Sequence, residues 1–177
     1  MRIISGTYKG RQIRPPKSLP ARPTTDFAKE NLFNILETRV DFEGKHCLDL
    51  FAGTGNISYE LSSRGCKHII AVEKNFKNSG FIKKTTSKLE INNIAVKTKD
   101  VFKFLKNPGQ KFFIIFADPP YQLKESENLP DIIFSNDILE QYGYFILEHS
   151  KHSDFSDHPN FHEKRSYGTV HFSIFRH

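Results

Sequence analysis

Four acidic residues stand where the strands of an alternating strand–helix pattern are predicted to end. They are Asp49 in HCLDLF, Glu73 after HIIAV, Asp100 after IAVKTK and Asp118 after KFFIIFA. The carboxyl ends of parallel strands meet at one edge of a doubly wound sheet, and ligands bind outside that edge. Each acid alone could be a solvated turn residue. Their common placement instead favours one shared site in which carboxylates act as hydrogen-bond acceptors or counter-charges.

The segment DLFAGTGNIS, with Gly53 and Gly55, predicts a turn that brings the backbone close to a ligand. It is an imperfect dinucleotide fingerprint, because Ser58 occupies the third small position. Asp49 lies four residues before Gly53 and would repel a pyrophosphate, which disfavours a nicotinamide or flavin cofactor. A carboxylate at this point suits S-adenosylmethionine, which carries an ammonium and a sulfonium and has no phosphate.

Glu73 and Asp100 extend this interpretation along the neighbouring strands. Glu73 lies eighteen residues after Gly55, about where an acid accepts hydrogen bonds from ribose hydroxyls in such sheets. Asp100, at the next strand end, is placed to accept from an adenine amino group. Together the acids and the glycine turn predict an S-adenosylmethionine site.

The stretch FFIIFADPPYQL ends a buried strand on Asp118 and follows it with Pro119, Pro120 and Tyr121. The prolines fix φ and hold the preceding residues extended. The Asp118 carboxylate and the Pro119 carbonyl then form two rigid acceptors for the two hydrogens of an exocyclic base amine. Tyr121 could stack on a planar base removed from its helix. A strand-ending turn with a packed tyrosine is the alternative, and the three other acids favour the chemical interpretation.

Alternating strands and helices predict an α/β fold with a parallel sheet covered on both faces. We expect a single domain over 1–177, with a basic N-terminal hairpin (1–14) and loop up to residue 23, then a core over 24–177. A helix is predicted over 25–37, and residues 124–141 are predicted to be helical in two pieces. The further elements are predicted strands at 46–51, 68–73, 94–98, 111–118 and 143–150, helices at 57–65, 75–92 and 100–107, and a terminal hairpin over 164–177 that turns near Tyr167–Gly168.

Beyond these local features, several longer segments resemble the bacterial 16S rRNA guanine-N2 methyltransferase family. They are MRIISGTYKGRQIRPP, RPTTDFAKENLFNIL, LDLFAGTGNISYELSSRG and the amino-methyltransferase signature DPPY, with a looser match at Tyr167–Gly168. The resemblance runs from Met1 to about Tyr121, and RPTTD followed by LFNIL is its most specific part. Asn56 and Ser58 depart from the smaller residues that family members often carry there.

The resemblance implies a Rossmann-like class I methyltransferase fold with a mostly parallel seven-stranded sheet and an N-terminal hairpin. It implies that Asp118, Pro119, Pro120 and Tyr121 hold a guanine amine. The predicted cofactor-binding residues are Asp49, Phe51, Gly53, Thr54, Gly55, Glu73, Lys74, Asp100 and Val101. The residues predicted to contact RNA are Arg2, Lys9, Arg11, Arg14, Arg22, Thr24 and Thr25, of which 22–25 would form a loop closing over cofactor and substrate.

The predicted reaction is direct in-line transfer of a methyl group to guanine N2 in small-subunit ribosomal RNA, with no metal. One alternative is an adenine-N6 DNA methyltransferase, although 177 residues leave little room for a target-recognition region. Enzymes that modify a protein side-chain amide generally carry Asn where this chain has Asp118. A third alternative is an inactive RNA-binding assembly factor, against which the four acids and DPPY argue.

The composition sets the expected partners and surroundings. The formal net charge is +6, and the first 25 residues hold six Lys or Arg and no acid, which suits ribosomal RNA or an assembling small subunit. No apolar run is long enough for a membrane span. Cys47 and Cys66 lie nineteen residues apart without a CxxC or zinc pattern, so we expect reduced thiols in a cytoplasmic protein. The resemblance and the small size of the chain imply a monomer. The histidines in HSKHSDFSDHPNFH (His149, His152, His158 and His162) are expected to be solvated, with a metal site as a distant alternative.

Overall fold

Seven strands form one mixed sheet in the computed structural model, which describes residues 1–16, 18–19 and 25–177. The strands are β1 (His46–Leu50), β2 (His68–Val72), β3 (Ile94–Lys97), β4 (Phe112–Ala117), β5 (Leu139–His149), β6 (Phe161–Tyr167) and β7 (Val170–Phe175). Their order is β3-β2-β1-β4-β5-β7-β6; the first five run parallel, and β7 pairs antiparallel with both β5 and β6. The predicted mostly parallel seven-stranded sheet and its terminal hairpin are confirmed.

The described residues form five α-helices and one 3₁₀ turn, of which the first helix precedes β1 and the other elements lie between strands. They are α1 (Asp26–Glu37), α2 (Asn56–Ser63), α3 (Phe76–Lys88), α4 (Val101–Leu105), the 3₁₀ turn (Lys124–Asn128) and α5 (Leu129–Ser135). Polar side chains begin three of them by accepting backbone N–H bonds: Thr25 caps α1, Asn75 caps α3 and Asp100 caps α4. Helices α3 and α4 directly follow β2 and β3, so they start at the carboxyl edge of the sheet.

Two apolar layers cover the sheet, as the helix-on-both-faces prediction requires. On one face, Leu32 of α1 and Leu61 of α2 pack with Ile114 of β4. On the other face, Leu105 of α4 and Ile133 of α5 pack beneath the sheet. Because the parallel strands are buried on both faces, their sequences are nearly continuous apolar runs.

The N-terminal segment is a hairpin-like loop and not a regular two-stranded ladder. It carries one isolated antiparallel bridge, between Arg2 and Gln12. The amides of Ile4 and Ser5 donate instead to the Glu60 carboxylate of α2, at 2.8 and 3.1 Å. Backbone bonds from Ile3 to Arg11 (3.1 Å), from Gly10 to Ile3 (2.9 Å) and from Ile13 to Met1 (3.0 Å) still join its two arms. The predicted N-terminal hairpin therefore forms, although with a single ladder bridge, and it is attached to the core through Glu60.

The predicted helix over 124–141 is wrong at its end. Helix α5 stops at Ser135, and β5 begins at Leu139, which pairs with Phe112 of β4. An irregularity in the β4–β5 ladder follows before Ile114. Gly143 fits there because a Cβ would lie 2.7 Å from the Phe113 carbonyl oxygen. Residues from Leu139 onward therefore belong to strand β5, although the sequence pattern predicted them to be helical up to residue 141.

None of the helices in the described part of the chain is long and apolar enough to cross a membrane. Cys47 and Cys66 are buried free thiols whose sulfur atoms lie 3.2 Å apart. Burial raises the pKa of the Cys47 thiol well above its ordinary value, and Cys66 adds to that shift.

Candidate active site

A cleft of about 910 Å³ opens at the carboxyl edge of the sheet. It lies where the strand order reverses between β1 and β4, the usual ligand-binding point of a doubly wound sheet. The predicted residues that line it are Thr25, Asp49, Phe51, Gly53, Thr54, Glu73, Lys74, Val101, Asp118, Pro119, Pro120 and Tyr121. Most of the residues assigned from sequence to cofactor and substrate therefore lie around one space.

Asp49 is buried at the end of β1, with 2% of its surface exposed. Its Oδ2 accepts a hydrogen bond from the Ser58 amide at 3.0 Å and a second from the Ser58 hydroxyl. Burial raises the pKa of Asp49 to about 7; the two Ser58 bonds oppose the shift, and the Glu73 charge adds to it. A cation in the cleft would favour the ionised form. Ser58, which sequence reasoning treated as a departure, holds this carboxylate in place.

Glu73, at the end of β2, accepts hydrogen bonds from the loop after β1 and from the residue that caps α3. One carboxylate oxygen accepts from the Gly53 amide at 2.8 Å and the other from the Asn75 amide at 2.7 Å. The Gly53–Gly55 turn has positive φ at both glycines, as the sequence predicts. Phe51 also lies at positive φ (58°), an unusual and strained conformation for a bulky residue, and it lines the cleft.

Gly55 and Asp100 are the two predicted cofactor residues that do not line the cleft among the described residues. Gly55 begins α2, and a Cβ there would lie 2.9 Å from the Tyr59 ring. The Asp100 side chain accepts from the Lys103 amide at 3.1 Å and so caps α4. Its neighbour Val101 does line the cleft, and contact of Asp100 with adenine stays a prediction.

Asp118 stands at the end of β4, beside Asp49. Its amide donates to the Leu50 carbonyl at 3.4 Å. In the described ranges, no group donates a hydrogen bond to its carboxylate. Burial raises the pKa of Asp118 well above its ordinary value, the Glu148 charge contributes next, and Asp49 adds a smaller part. The carboxylate is therefore an acceptor that receives no hydrogen bond from the described residues, in a cleft that can admit a donor.

The residues after Asp118 continue along the rim of the cleft. Pro119 is buried, whereas Tyr121 is 60% exposed. The Pro120 carbonyl accepts from the Leu123 amide at 2.9 Å, which closes the turn beyond the prolines. A planar group entering the cleft could contact the Tyr121 ring.

Sequence reasoning missed Glu148, a buried acid in β5 that also lines the cleft. A signal was present, because Glu148 ends the apolar run YFIL much as Asp118 ends FFIIFA. Thr169 and Val170 of the terminal hairpin line the same side of the cleft. They arrive there because β7 pairs antiparallel with β5.

Among the described residues that are predicted to contact RNA, Thr25 lines this cleft and Arg2, Lys9, Arg11 and Arg14 do not. Arg2 forms an exposed ion pair with Glu30, and the Arg11 guanidinium lies 5.7 Å from the Tyr8 ring centroid. The remaining two described members of the set are Lys9 and Arg14, which are both exposed. Arg22 and Thr24 were also predicted to contact RNA, and they lie outside the described residues. The role of the basic segment stays a prediction.

The prediction that the four histidines are solvated is wrong for His149. This ring is buried, bonds to the Ser173 hydroxyl and the Ser150 carbonyl at 2.8 Å each, and has a pKa lowered chiefly by burial. The reason is that β5 extends through residue 149, so His149 faces the sheet core. The prediction is also wrong for His158, whose half-buried ring packs against the rings of Phe134 and Phe175. His152 and His162 are exposed. Over the described ranges, no group of three or more His, Cys, Asp or Glu could hold a metal ion.

Comparison with known proteins agrees with this geometry. The family model described as conserved hypothetical protein 95 matches residues 1–176. Ribosomal RNA small subunit methyltransferase D of Buchnera aphidicola is 32% identical over 148 residues, which are 84% of this chain and 75% of that protein. The solved structure of hypothetical protein TTHA0928 of Thermus thermophilus superposes with a TM-score of 0.86 at 27% identity, covering 100% of this chain and 99% of that one.

The fold is also that of more distant enzymes. An S-adenosylmethionine-dependent methyltransferase from Agrobacterium tumefaciens superposes with a TM-score of 0.64 at 16% identity, covering 84% of this chain and 61% of that one. The sheet order and the edge cleft thus define the Rossmann-like class of methyltransferase folds. Within that class, the chain belongs to the conserved hypothetical protein 95 family, and the resemblance found in its sequence motifs is confirmed.

Proposed function

We propose that this protein transfers a methyl group from S-adenosylmethionine to the exocyclic N2 amine of a guanine in small-subunit ribosomal RNA. The observation that carries the proposal is the Asp118 carboxylate. It lies in the cleft without a hydrogen-bond donor from the described residues and shares that cleft with Asp49 and Glu73. A base amine supplies the donors that Asp118 lacks, and a cationic cofactor suits the surrounding acids.

The acids and glycines fit S-adenosylmethionine better than a phosphate-bearing cofactor. Asp49 offers a buried carboxylate with Oδ2 fixed by Ser58, so a cationic group placed near it stabilises its ionised form. Glu73 is held by two backbone amides and keeps lone pairs free for ribose hydroxyls. When bound, S-adenosylmethionine would supply an electrophilic methyl group on its sulfonium.

The DPPY segment would orient the amine for attack. The Asp118 carboxylate and the Pro119 carbonyl can each accept one amine hydrogen, which aims the nitrogen lone pair away from both acceptors. Positioning of this kind lowers a barrier by on the order of several kcal/mol. Tyr121, which is largely exposed at the rim, would stack on the extruded base.

The choice of substrate is supported by charge and by relatives. The chain carries a net charge of +6, and its first 25 residues hold basic residues and no acid, which favours phosphate contacts that strengthen binding without reading sequence. The Buchnera relative is named a small-subunit ribosomal RNA methyltransferase. We therefore place the target in small-subunit ribosomal RNA, free or within an assembling particle.

The test is methyl transfer from labelled S-adenosylmethionine to ribosomal RNA, to small subunits from a strain lacking this gene, and to DNA. The expected product is N2-methylguanosine at one site in the small-subunit RNA. The Asp118→Ala variant should lose transfer while its cofactor affinity stays close to that of the unmodified protein. Label found only as N6-methyladenine in DNA would assign the chain to the DNA enzymes. RNA binding without transfer, unchanged by Asp49→Ala, would indicate an assembly factor.

A further inference from the structure

The cleft contains one buried acid that the proposed reaction leaves without a role. Glu148 lies near the end of β5, with 4% of its surface exposed. Ala117 pairs with Leu147 in the parallel β4–β5 ladder, so the next two residues, Asp118 and Glu148, stand beside each other. Neighbouring strands lie about 4.8 Å apart, and the side chains of paired residues project from the same face of the sheet. Both residues line the cleft.

We propose that Glu148 and Asp118 form a proton-sharing carboxyl pair and that this pair takes the proton that guanine N2 loses during methylation. The inference rests on the proposed function. The N2 lone pair forms the new N–C bond while the electrons of the C–S bond pass to sulfur, which becomes a neutral thioether. N2 then carries a positive charge and one surplus proton. The pair accepts that proton, leaves neutral N2-methylguanine, and later releases the proton to water.

Proximity makes the pair a better proton acceptor than a single aspartate. Two carboxylates that close together in a partly desolvated cleft do not both ionise readily, so the pair retains one proton to a higher pH. The pKa of Asp118 is raised first by burial and next by Glu148, which agrees with this arrangement. A raised pKa strengthens the carboxylate as a base, and proton transfer is most efficient when that pKa approaches the working pH.

Other ionisable groups lie near the Asp118–Glu148 pair, and their titration could also affect the pH dependence of the rate. Asp49, Glu73 and Lys74 line the same cleft. Glu148 also lines a small cavity of about 60 Å³, whose other ionisable lining residues are Tyr121, Lys124, Glu127 and His149; Tyr121 lines the cleft as well. Helices α1 and α2 contribute no ionisable side chain to the described lining of the cleft. Saturating S-adenosylmethionine would hold Asp49 ionised and so remove its titration from the measurement.

The first experiment compares the dependence of kcat on pH for the unmodified protein, Glu148→Gln and Asp118→Asn at saturating cofactor. In the unmodified protein the rate should rise with pH as the pair loses its shared proton. Glu148→Gln removes the neighbouring charge, so its midpoint should fall by about one pH unit or more and its plateau by about tenfold or more. Glu148→Asp keeps a carboxylate and should keep the raised midpoint. Asp118→Asn should be inactive at every pH.

The matched control is Glu140→Gln, which changes an acid in the same strand that does not line the cleft. Its pH profile should equal that of the unmodified protein. A Glu148→Gln variant that loses rate equally at all pH values, with an unmoved midpoint, would show a purely structural role and overturn the proposal.

A second measurement does not depend on turnover. Carbon-13 labelling of aspartate carboxyls allows Asp118 to be titrated by NMR, with Asp118→Asn identifying its signal. The midpoint should be raised in the unmodified protein and in Glu140→Gln, and lower in Glu148→Gln. An Asp118 titration midpoint that is equal in the unmodified protein, Glu140→Gln and Glu148→Gln would show that Glu148 and Asp118 do not share a proton. A raised midpoint without any methyl transfer would leave the pair in place and overturn both the proposed function and the proton-accepting role.

Discussion

The Gly53 amide donates a 2.8 Å hydrogen bond to the Glu73 carboxylate, which joins the loop after β1 to the end of β2. The second oxygen of Glu73 accepts from Asn75 at 2.7 Å, at the start of α3. One side chain thus fixes the glycine turn and the helix start on either side of the cleft. The same carboxylate is proposed to bind the cofactor ribose, so its loss should affect both the shape of the site and its contacts.

Glu73→Gln should weaken cofactor binding by about tenfold or more, since an amide has only one acceptor oxygen for two backbone donors. Its NH₂ group would then face either Gly53 or Asn75. Calorimetric titration with S-adenosylhomocysteine measures the change. Glu43→Gln, in an exposed turn, is the control and should bind as the unmodified protein does. Equal affinity in both variants would remove Glu73 from the cofactor site.

Asp49 should make the stability of the ligand-free protein fall as pH rises. Its folded pKa of about 7 lies above the ordinary aspartate value, so the folded state binds a proton that the unfolded state has released between about pH 4 and pH 7. The stability from this group is therefore present at low pH and lost through pH 7. Asp49→Asn lacks that loss and should be the more stable protein at pH 8, by on the order of a few kcal/mol.

Thermal unfolding of both proteins from about pH 5 to pH 8 tests this expectation. The difference in Tm should be small at pH 5 and should grow through pH 7. Titrating groups that do not interact with Asp49 cancel in the comparison, and Asp118 adds only a smaller part to the difference because Asp49 is the least of the causes that raise its pKa. A difference that stays constant with pH would contradict the raised pKa of Asp49.

The same carboxyl should make cofactor binding depend on pH. A cation binds best to ionised Asp49, so the affinity for S-adenosylmethionine should rise as pH increases through about 7. Below that midpoint the affinity should fall by up to about tenfold per pH unit. Calorimetry at several pH values measures it, together with the proton released on binding. In Asp49→Asn the affinity for S-adenosylmethionine should be low and should not change with pH. If the affinity of this variant changed with pH as much as that of the unmodified protein, the titration would belong to another group.

Much of this arrangement could be predicted from the sequence because it is local. Apolar runs ending in an acid predict buried strands with a carboxylate at the edge, and this placed Asp49, Glu73 and Asp118 together. The helix predicted over 25–37 likewise agrees with α1 (Asp26–Glu37), because its apolar spacing is local. The helix predicted to reach residue 141 failed because pairing of Leu139 with Phe112 depends on the sheet and not on local periodicity.

What could not be predicted depends on register and on contacts far apart in sequence. Glu148 becomes a neighbour of Asp118 only through the β4–β5 ladder. Ser58 binds Asp49 across nine residues because α2 starts directly after the glycine turn. Lys29, on the inward side of α1, contacts Glu60 of α2, a pairing that helical spacing in either helix alone does not specify.

Gly6 should tolerate alanine far less well than Gly10, although both have positive φ near 80°. A Cβ at Gly6 would lie 1.7 Å from the backbone oxygen of Ser63, whereas nothing lies within 4 Å of a Cβ at Gly10. Gly10→Ala should therefore cost only the conformational strain, about 1 kcal/mol. Gly6→Ala should also detach the N-terminal segment from α2, because the Thr7 amide bonds to that Ser63 oxygen at 2.8 Å.

Thermal unfolding and limited proteolysis of the two glycine variants separate these effects. Gly6→Ala should show the larger loss of Tm and earlier cleavage within the first sixteen residues. Equal behaviour of the two would mean that the segment is not held against α2 in solution.

Glu60 should be the most sensitive charged residue outside the cleft. It is fully buried and accepts from the amides of Ile4 and Ser5 and from Arg64 Nε at 2.9 Å, while Lys29 Nζ lies 3.5 Å away. Desolvation lowers the pKa of Lys29, and the Glu60 charge opposes that shift. Glu60→Gln leaves the two cations without their buried partner, and breaking such a network costs about 3–5 kcal/mol.

Chemical denaturation measures that loss, with Glu30→Gln as the matched control. Glu30 forms an exposed pair with Arg2 at 3.9 Å, and removing it should change stability by less than about 1 kcal/mol. A double-mutant cycle with Lys29→Met isolates the coupling between Lys29 and Glu60. If the buried pair acts as the structure indicates, Lys29→Met should cost less when Glu60 is already Gln. If the losses of unfolding free energy in the two single variants simply add in the double variant, Glu60 stabilises the protein through the amides of Ile4 and Ser5 and not through the Lys29 ammonium.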